Sequence, residues 1–371
     1  MMTRVLVVTD AWRPQINGVV RSIEALIDNA PRVGMEISLI GPHMFRTCPM
    51  PTYPEIRLAL TTSRRVAKLI RQHAPDCIHI ATEGPLGLAA RRACLKNGWR
   101  FTTAYHTRFP EYVAERKLAP ASLVYRLLRG FHAASDAVMV ATNALEKDLR
   151  ERGFSNIVRW TRGVDTKLFR PAEARVRNAA EPVFIYVGRV SVEKNIEEFL
   201  QLDLRGSKVV VGDGPERKRL EAAYPNVRFT GALEGEELAS AYRSADVFVF
   251  PSKTDTFGLV LLEAMASGLP VAAFPVMGPA DVIGASGCGV LSKDLRQAAL
   301  DALDIPAQRC VDYAARFGWD ESVNQFAAVS RAAPAGLGAY VTKLQPALAS
   351  TPDAFTAAQA ANTEAAAIRL A

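Results

Sequence analysis

Two carboxylates, Asp255 and Glu263, are separated by seven residues in the stretch Pro251-Ser-Lys-Thr-Asp255-Thr-Phe257-Gly258-Leu259-Val260-Leu-Leu-Glu263-Ala-Met-Ala-Ser-Gly268-Leu-Pro270. Phe257-Gly258 reads as a turn that opens a helix, and Gly268-Leu-Pro270 closes it. One acid then sits in the loop and the other about two turns into the helix. The first helical N–H groups are left free to face an anion. A reader of sugar hydroxyls, a phosphate cradle and a reader of ribose hydroxyls would lie within one segment.

Other segments add cations and turns. Gly188-Arg189 follows the apolar run ending at Val187, and Glu193-Lys194-Asn195 comes soon after. An Arg fork, a Lys point charge and a helix start suit a diphosphate, although a solvated loop would also carry such cations. Gly212-Asp213-Gly214-Pro215 repeats the turn after the next strand, and it is not a dinucleotide fingerprint. Asn17-Gly18 opens a helix after the first strand, as a phosphate or acceptor contact or as a plain strand–helix turn. Tyr105-His106-Thr107-Arg108 ends a strand, where open α/β sheets bind ligands. His43, His73, His79 and His132 show no ligand spacing and read as structural or surface residues. Asp-x-Asp, Gly-x4-Gly-Lys-Ser/Thr, Gly-x-Ser-x-Gly and His-Glu-x-x-His are all absent. No metal and no cofactor are expected, so a leaving diphosphate would rest on protein cations and N–H groups.

The 251–270 segment, Gly188-Arg189 with Glu193-Lys194-Asn195, and Arg162-Gly-Val-Asp165 with Phe169-Arg-Pro171 resemble the family-4 retaining glycosyltransferases of the GT-B fold. Asn17-Gly18-Val with Tyr105-His106-Thr107 adds a likeness to diacylglycerol glycosyltransferases and GDP-mannose-dependent mannosyltransferases. The resemblance spans about residues 3–330. It implies that Glu263 binds ribose, Asp255 the donor sugar, and Phe257, Gly258, Leu259 and Val260 the sugar and phosphates through N–H groups. It implies Arg189 and Lys194 on the diphosphate, His106 beside the reacting carbon and Gly18 at the acceptor. Asn17, Thr107, Arg108, Gly212 and Gly214 join the expected substrate-binding set. Many family members carry Glu where this chain has Asp255. The implied reaction retains the anomeric configuration by front-face attack, the leaving phosphate helping to deprotonate the acceptor.

The elements that must position these residues alternate. Six strands, Val5–Thr9, Glu36–Ile40, Cys77–Ala81, Arg100–Tyr105, Ala137–Ala141 and Ile157–Trp160, interleave with helices near 19–29, 62–73, 85–97, 119–134 and 143–152. A second set has strands Val183–Val187, Lys208–Val211, Val227–Thr230, Asp246–Phe250, Pro270–Phe274 and Gly289–Leu291. Its helices lie near 193–201, 215–223, 235–243, 258–267, 294–303, 306–316 and 319–331. Near-continuous apolar strands suit parallel sheets covered on both faces. The expected fold is α/β, two Rossmann-like domains facing a central cleft. The domains are 1–170 for the acceptor and 171–318 for the nucleotide-sugar donor, with 172–181 as linker. A helix within 319–345 returns to the first domain, and an alanine-rich tail, 346–371, is expected to be partly disordered.

Residues 1–170 carry a net charge of +12 and the remainder −5. The basic half predicts a polyanionic partner. Arg64, Arg65, Lys68 and Arg71 lie on the 62–73 helix, beside an apolar loop at Met44-Phe45 and Met50 to Tyr53. An anionic membrane surface is therefore expected, though a solvated helix face would read the same. No aromatic stacking platform or base-reading helix is visible, so no nucleic-acid partner is expected. The five cysteines are scattered, which suits free thiols. With no signal peptide and no spanning run, the expected location is cytoplasmic, at the inner face of the membrane. The leading functional reading is transfer from a nucleotide-diphosphate sugar (UDP-glucose, UDP-glucuronate or GDP-mannose class) to a lipid such as diacylglycerol. The alternatives are a glycan or small-molecule acceptor, a two-domain sugar-nucleotide epimerase, and a non-enzymic nucleotide-binding module.

Overall fold

The computed structural model describes residues 2–50, 53–115, 119–173 and 180–332. The chain divides into two units, one running to Thr161 and resumed at Trp319, the other spanning Arg162–Gly318. The expected tail 346–371, residues 333–345 of the returning segment and residues 174–179 of the linker lie outside the described residues.

In chain order the first unit contains β1 (Thr3–Val8), α1 (Gly18–Asn29), β2 (Met35–Ile40), β3 (Thr47–Met50), β4 (Tyr53–Ala59), α2 (Ser63–His73), β5 (Cys77–Ile80) and α3 (Pro85–Asn97). It continues with β6 (Thr102–Ala104), α4 (Phe109–Glu115), α5 (Ala121–His132), β7 (Val138–Val140), α6 (Asn143–Glu151) and β8 (Ile157–Arg159). Its six-stranded sheet has the order β2-β1-β5-β6-β7-β8, every pairing parallel. Alternation along β1 sets the two layers: Val5 and Val7 join one core cluster, Leu6 and Val8 the other. β3 and β4 form an antiparallel hairpin where the sequence suggested an apolar loop. Met44 and Phe45 pack half-buried against the core.

The second unit runs β9 (Val183–Val187), α7 (Ile196–Gln201), β10 (Ser207–Val211), α8 (Arg217–Ala223), β11 (Arg228–Gly231), α9 (Gly235–Arg243), β12 (Val247–Phe250) and α10 (Leu259–Ala266). It ends with β13 (Val271–Ala273), α11 (Met277–Val282), β14 (Gly289–Leu291), α12 (Leu295–Asp301) and α13 (Ala307–Ala314). Its sheet order is β11-β10-β9-β12-β13-β14, again all parallel. The final helix, α14 (Trp319–Arg331), belongs to the first unit. There Phe326 lies against the Trp160 ring, and the Trp160 Nε1–H donates to the Ser322 carbonyl at 3.1 Å.

Each sheet reverses its winding direction once. In the first unit the reversal falls between β1 and β5, in the second between β9 and β12. Loops leaving the carboxyl ends of such strand pairs splay apart and leave a crevice where ligands bind.

Candidate active site

In the second unit the loops after β9 and β12 flank this reversal, and they carry the paired acids and the cations. Lys194 ends a single 3-10 turn, and Asn195 adopts a left-handed conformation before α7 begins. The Asn195 side chain donates to the Pro251 carbonyl at 3.1 Å, and the Thr254 hydroxyl to the Glu193 carbonyl at 3.1 Å. These two bonds tie one loop to the other, so Lys194 Nζ meets Asp255 Oδ1 at 2.5 Å. The second Asp255 oxygen is buried with no hydrogen-bond partner among the described residues. A buried carboxylate oxygen in that condition costs stability unless a ligand supplies a donor.

Gly258 caps α10 with φ of 84°, a backbone shape that favours glycine. Phe257 is buried, while Gly258, Leu259 and Val260 are half-buried at the helix start. The N–H groups of this first turn point along the positive end of the helix dipole. Glu263 follows on the same helix and is only 6% exposed. The Tyr242 hydroxyl, from α9, donates to its Oε2 at 3.0 Å.

Arg189 is half-buried in the turn after β9, and the Tyr186 hydroxyl donates to its carbonyl at 2.7 Å. Gly212 and Gly214 sit against the same turn. A Cβ on Gly212 would lie 1.8 Å from the Gly188 carbonyl oxygen, and one on Gly214 2.3 Å from that of Val190. Their place is thus behind the Arg189 turn, whose shape they allow. On the far side of the Asp255 loop, a Cβ on Gly278 of α11 would meet the Asp255 carbonyl oxygen at 2.6 Å.

In the first unit, Asn17 is the N-cap of α1: its Oδ1 accepts from the Val19 and Val20 N–H groups, each at 3.0 Å. Two of the N–H groups expected to face an anion are therefore held by the protein itself. Gly18 is the first helical residue. His106 and Thr107 follow β6, and the His106 ring stands edge-on to Trp160 at 5.8 Å. Arg108 donates to Glu111 Oε1 at 2.6 Å, and the Tyr125 hydroxyl donates to the same oxygen at 2.6 Å. The guanidinium is thereby paired within its own unit.

Sequence reasoning passed over Tyr186, Tyr242 and Gly278, since a lone tyrosine or glycine carries no spacing signal. It also passed over Asp10, which is buried beside the first reversal. Burial pushes this carboxyl above its ordinary range, against the pull of N–H donors from Leu86 and Gly87.

Residues 16–168 match the family described as Glycosyltransferase Family 4, and residues 181–305 match Glycosyl transferases group 1. The GDP-mannose-dependent alpha-mannosyltransferase of Mycobacterium tuberculosis is 31% identical, the match covering 78% of this chain and 83% of that one. The alpha-monoglucosyldiacylglycerol synthase of Streptococcus pneumoniae is 26% identical over 73% of this chain and 70% of its own. Among solved structures, sucrose-phosphate synthase of Thermosynechococcus elongatus superposes with a TM-score of 0.72 at 20% identity, covering 89% of this chain and 98% of that one. Two parallel α/β units, paired acids and cations at a sheet reversal, and these likenesses agree: the chain belongs to glycosyltransferase family 4, with the GT-B fold and a hexosyltransferase activity that draws on nucleotide-sugar donors.

Proposed function

We propose that this enzyme moves a hexose from a nucleotide-diphosphate sugar to a hydroxyl of a membrane lipid such as diacylglycerol, giving an α-glycolipid. The observation that carries the lipid acceptor is the outer face of α2. Arg64, Arg65, Lys68 and Arg71 are all exposed there, and none has a carboxylate partner among the described residues. Arg65 lies over the Phe45 ring and Arg71 over the Trp99 ring, so two of the four cations are held in place. Leu123 and Leu127 of α5 are exposed one turn apart, beside exposed Arg126 and Arg129. Cations and apolar side chains together suit an anionic lipid surface, each cation near it contributing about 1 kcal/mol. No helix among the described residues is long and apolar enough to cross a membrane. The name of the streptococcal relative supports the same acceptor.

On the donor side, Glu263 takes the ribose, and Asp255 a hydroxyl of the sugar. Arg189, Lys194 and the α10 N–H groups hold the diphosphate. Charge builds on the leaving phosphate as the sugar–phosphate bond breaks, so fixed cations stabilise the transition state more than the ground state. The acceptor proton passes to the departing phosphate, with no metal required.

The test offers the protein UDP- and GDP-sugars with vesicles containing diacylglycerol, and searches the organic phase by mass spectrometry. A new α-glycolipid is the expected product. Transfer to soluble glycosides with none to lipid would replace this acceptor with a glycan.

A further inference from the structure

The reversal in the first sheet falls between β1 and β5, and the loops leaving these strands hold an arrangement that none of the roles above uses. Asp10, after β1, clamps the loop after β5. Its Oδ1 accepts from the Leu86 N–H at 2.8 Å, and its Oδ2 from the Gly87 N–H at 3.1 Å and the Thr82 hydroxyl at 2.9 Å. The Asp10 N–H donates back to the Thr82 hydroxyl at 2.7 Å. Gly84 fits this clamp closely, for a Cβ there would lie 2.5 Å from Asp10 Cγ. The backbone is thus fixed on both sides of Glu83.

The Glu83 side chain is fixed as well. Its Oε1 lies 3.1 Å from Nε2 of His132, a fully buried residue at the end of α5. His132 Nδ1 is 2.9 Å from the Thr103 hydroxyl, which lies 3.1 Å from the Ser135 hydroxyl. Asn156 Nδ2 donates to the His132 carbonyl at 3.2 Å. Ring and backbone of the histidine are both held, so the carboxylate it meets is oriented in advance. Glu83 stays 22% exposed, and apart from His132 it has no hydrogen-bond or ion-pair partner among the described residues.

A partly desolvated carboxylate with no Lys or Arg beside it among the described residues is costly to keep for structure alone, because a neutral acceptor would serve His132 as well. Its position, at the carboxyl ends of the strands where the sheet reverses, is where this architecture binds ligands. Its sign is also opposite to that of the basic half around it. We infer that Glu83 is an acceptor-binding residue, whose unshared oxygen accepts a hydrogen bond from the hydroxyl of an uncharged acceptor in the bound ground state, before that proton passes to the departing phosphate, with His132 as its positioning residue. An acceptor presenting a phosphate at this point would be repelled.

This inference rests on the proposed glycosyl transfer. The test gives the full chain its donor sugar together with dioleoylglycerol, an alkyl α-glucoside and phosphatidylglycerol, the two lipids in vesicles brought to the same anionic charge with phosphatidic acid. For Glu83→Ala the acceptor KM is expected to rise about tenfold or more, the loss of one charge-assisted hydrogen bond. Glu83→Gln keeps the shape and a bond to His132, and is expected to lie between the two. Nucleotide affinity, by calorimetric titration, stays within about twofold for both variants. Acceptor KM values within about twofold of wild type in both variants would overturn the inference, as would a wild type that prefers phosphatidylglycerol. Wild-type activity on the alkyl glucoside with none on lipid would sink the lipid reading, and the Glu83 comparison would then be read on the glucoside. No product on any hydroxyl acceptor would overturn both.

Discussion

Replacing Tyr242 by Phe removes one hydroxyl from the floor of the proposed donor site. Tyr242 is fully buried, between Phe169 and Phe248. Its hydroxyl has a single proton; Glu263 Oε2 lies at 3.0 Å and the Val260 carbonyl at 3.5 Å. The shorter contact is to the charged group and takes the proton. The ring stays and so does its packing, so the change isolates the hydrogen bond. A buried hydrogen bond to a charged group contributes about 1.5–3 kcal/mol. If all of it were lost from the bound state, nucleotide affinity would fall by roughly ten- to a hundredfold. Part of the loss falls on the fold, as a drop in melting temperature of a few degrees. We expect the Kd for the preferred nucleotide, UDP or GDP, to rise about tenfold in calorimetric titration. Glu263→Gln serves as the control, expected to weaken nucleotide binding by at least as much. A Tyr242→Phe protein that loses melting temperature but binds nucleotide as wild type would refute the positioning argument. If Glu263→Gln also binds normally, the ribose role of Glu263 falls instead.

Gly278→Ala places a methyl group 2.6 Å from the Asp255 carbonyl oxygen, so the acid loop must shift by several tenths of an ångström. Overpacking of this kind costs about 1–3 kcal/mol, and we expect kcat/KM to drop more than tenfold, whereas wild-type kinetics would show the loop to be compliant. Lys194→Ala is expected to lower kcat by about a hundredfold with a smaller change in donor KM, read from steady-state rates; an unchanged kcat would remove Lys194 from the leaving-group role. Burial pushes the Cys94 thiol from an ordinary 9.0 up to about 12, and the Cys77 thiol, by burial and then by Asp76, to about 11. Since both folded values lie above the unfolded ones, the stability they confer is complete below about pH 9 and is lost as pH rises towards 12, so melting temperature should fall over that window in the wild type and less in Cys94→Ala.

Much of this was legible in the sequence because the strands buried on both faces form unbroken apolar runs. Val5 to Val8 and Val183 to Val187 announce β1 and β9, and the helical stretches read near 62–73 and 143–152 correspond to α2 and α6. The Asp255 to Pro270 segment marked α10, because Gly258 and Gly268 both need a left-handed backbone at its ends. The hairpin of β3 and β4 was not legible: Pro49 and Pro54 argue against strands, and what pairs them is a register of non-local bonds. The short helices α4 and α11 contain Pro110 and Pro279, and have too few turns to show a period. In the site, the types and order of the acids and cations were visible. The tyrosine holding Glu263 was not, since the partners are 21 positions apart and only tertiary folding brings them together. Asn17 shows the converse, where a local capping bond holds N–H groups that the turn after β1 had offered to an anion.

The placement of α14 has a consequence for biosynthesis. The chain emerges from the ribosome in order, and domains ordinarily fold in that order. Here the layer that covers Val5, Met35 and Trp160 includes Val323, Phe326 and Val329, made after the whole second unit. The Trp160 indole and its Ser322 acceptor are 162 residues apart in synthesis. The first unit therefore waits with one flank of its sheet uncovered while the second completes its own core. During that interval the nascent chain presents an apolar surface that a holding chaperone would recognise.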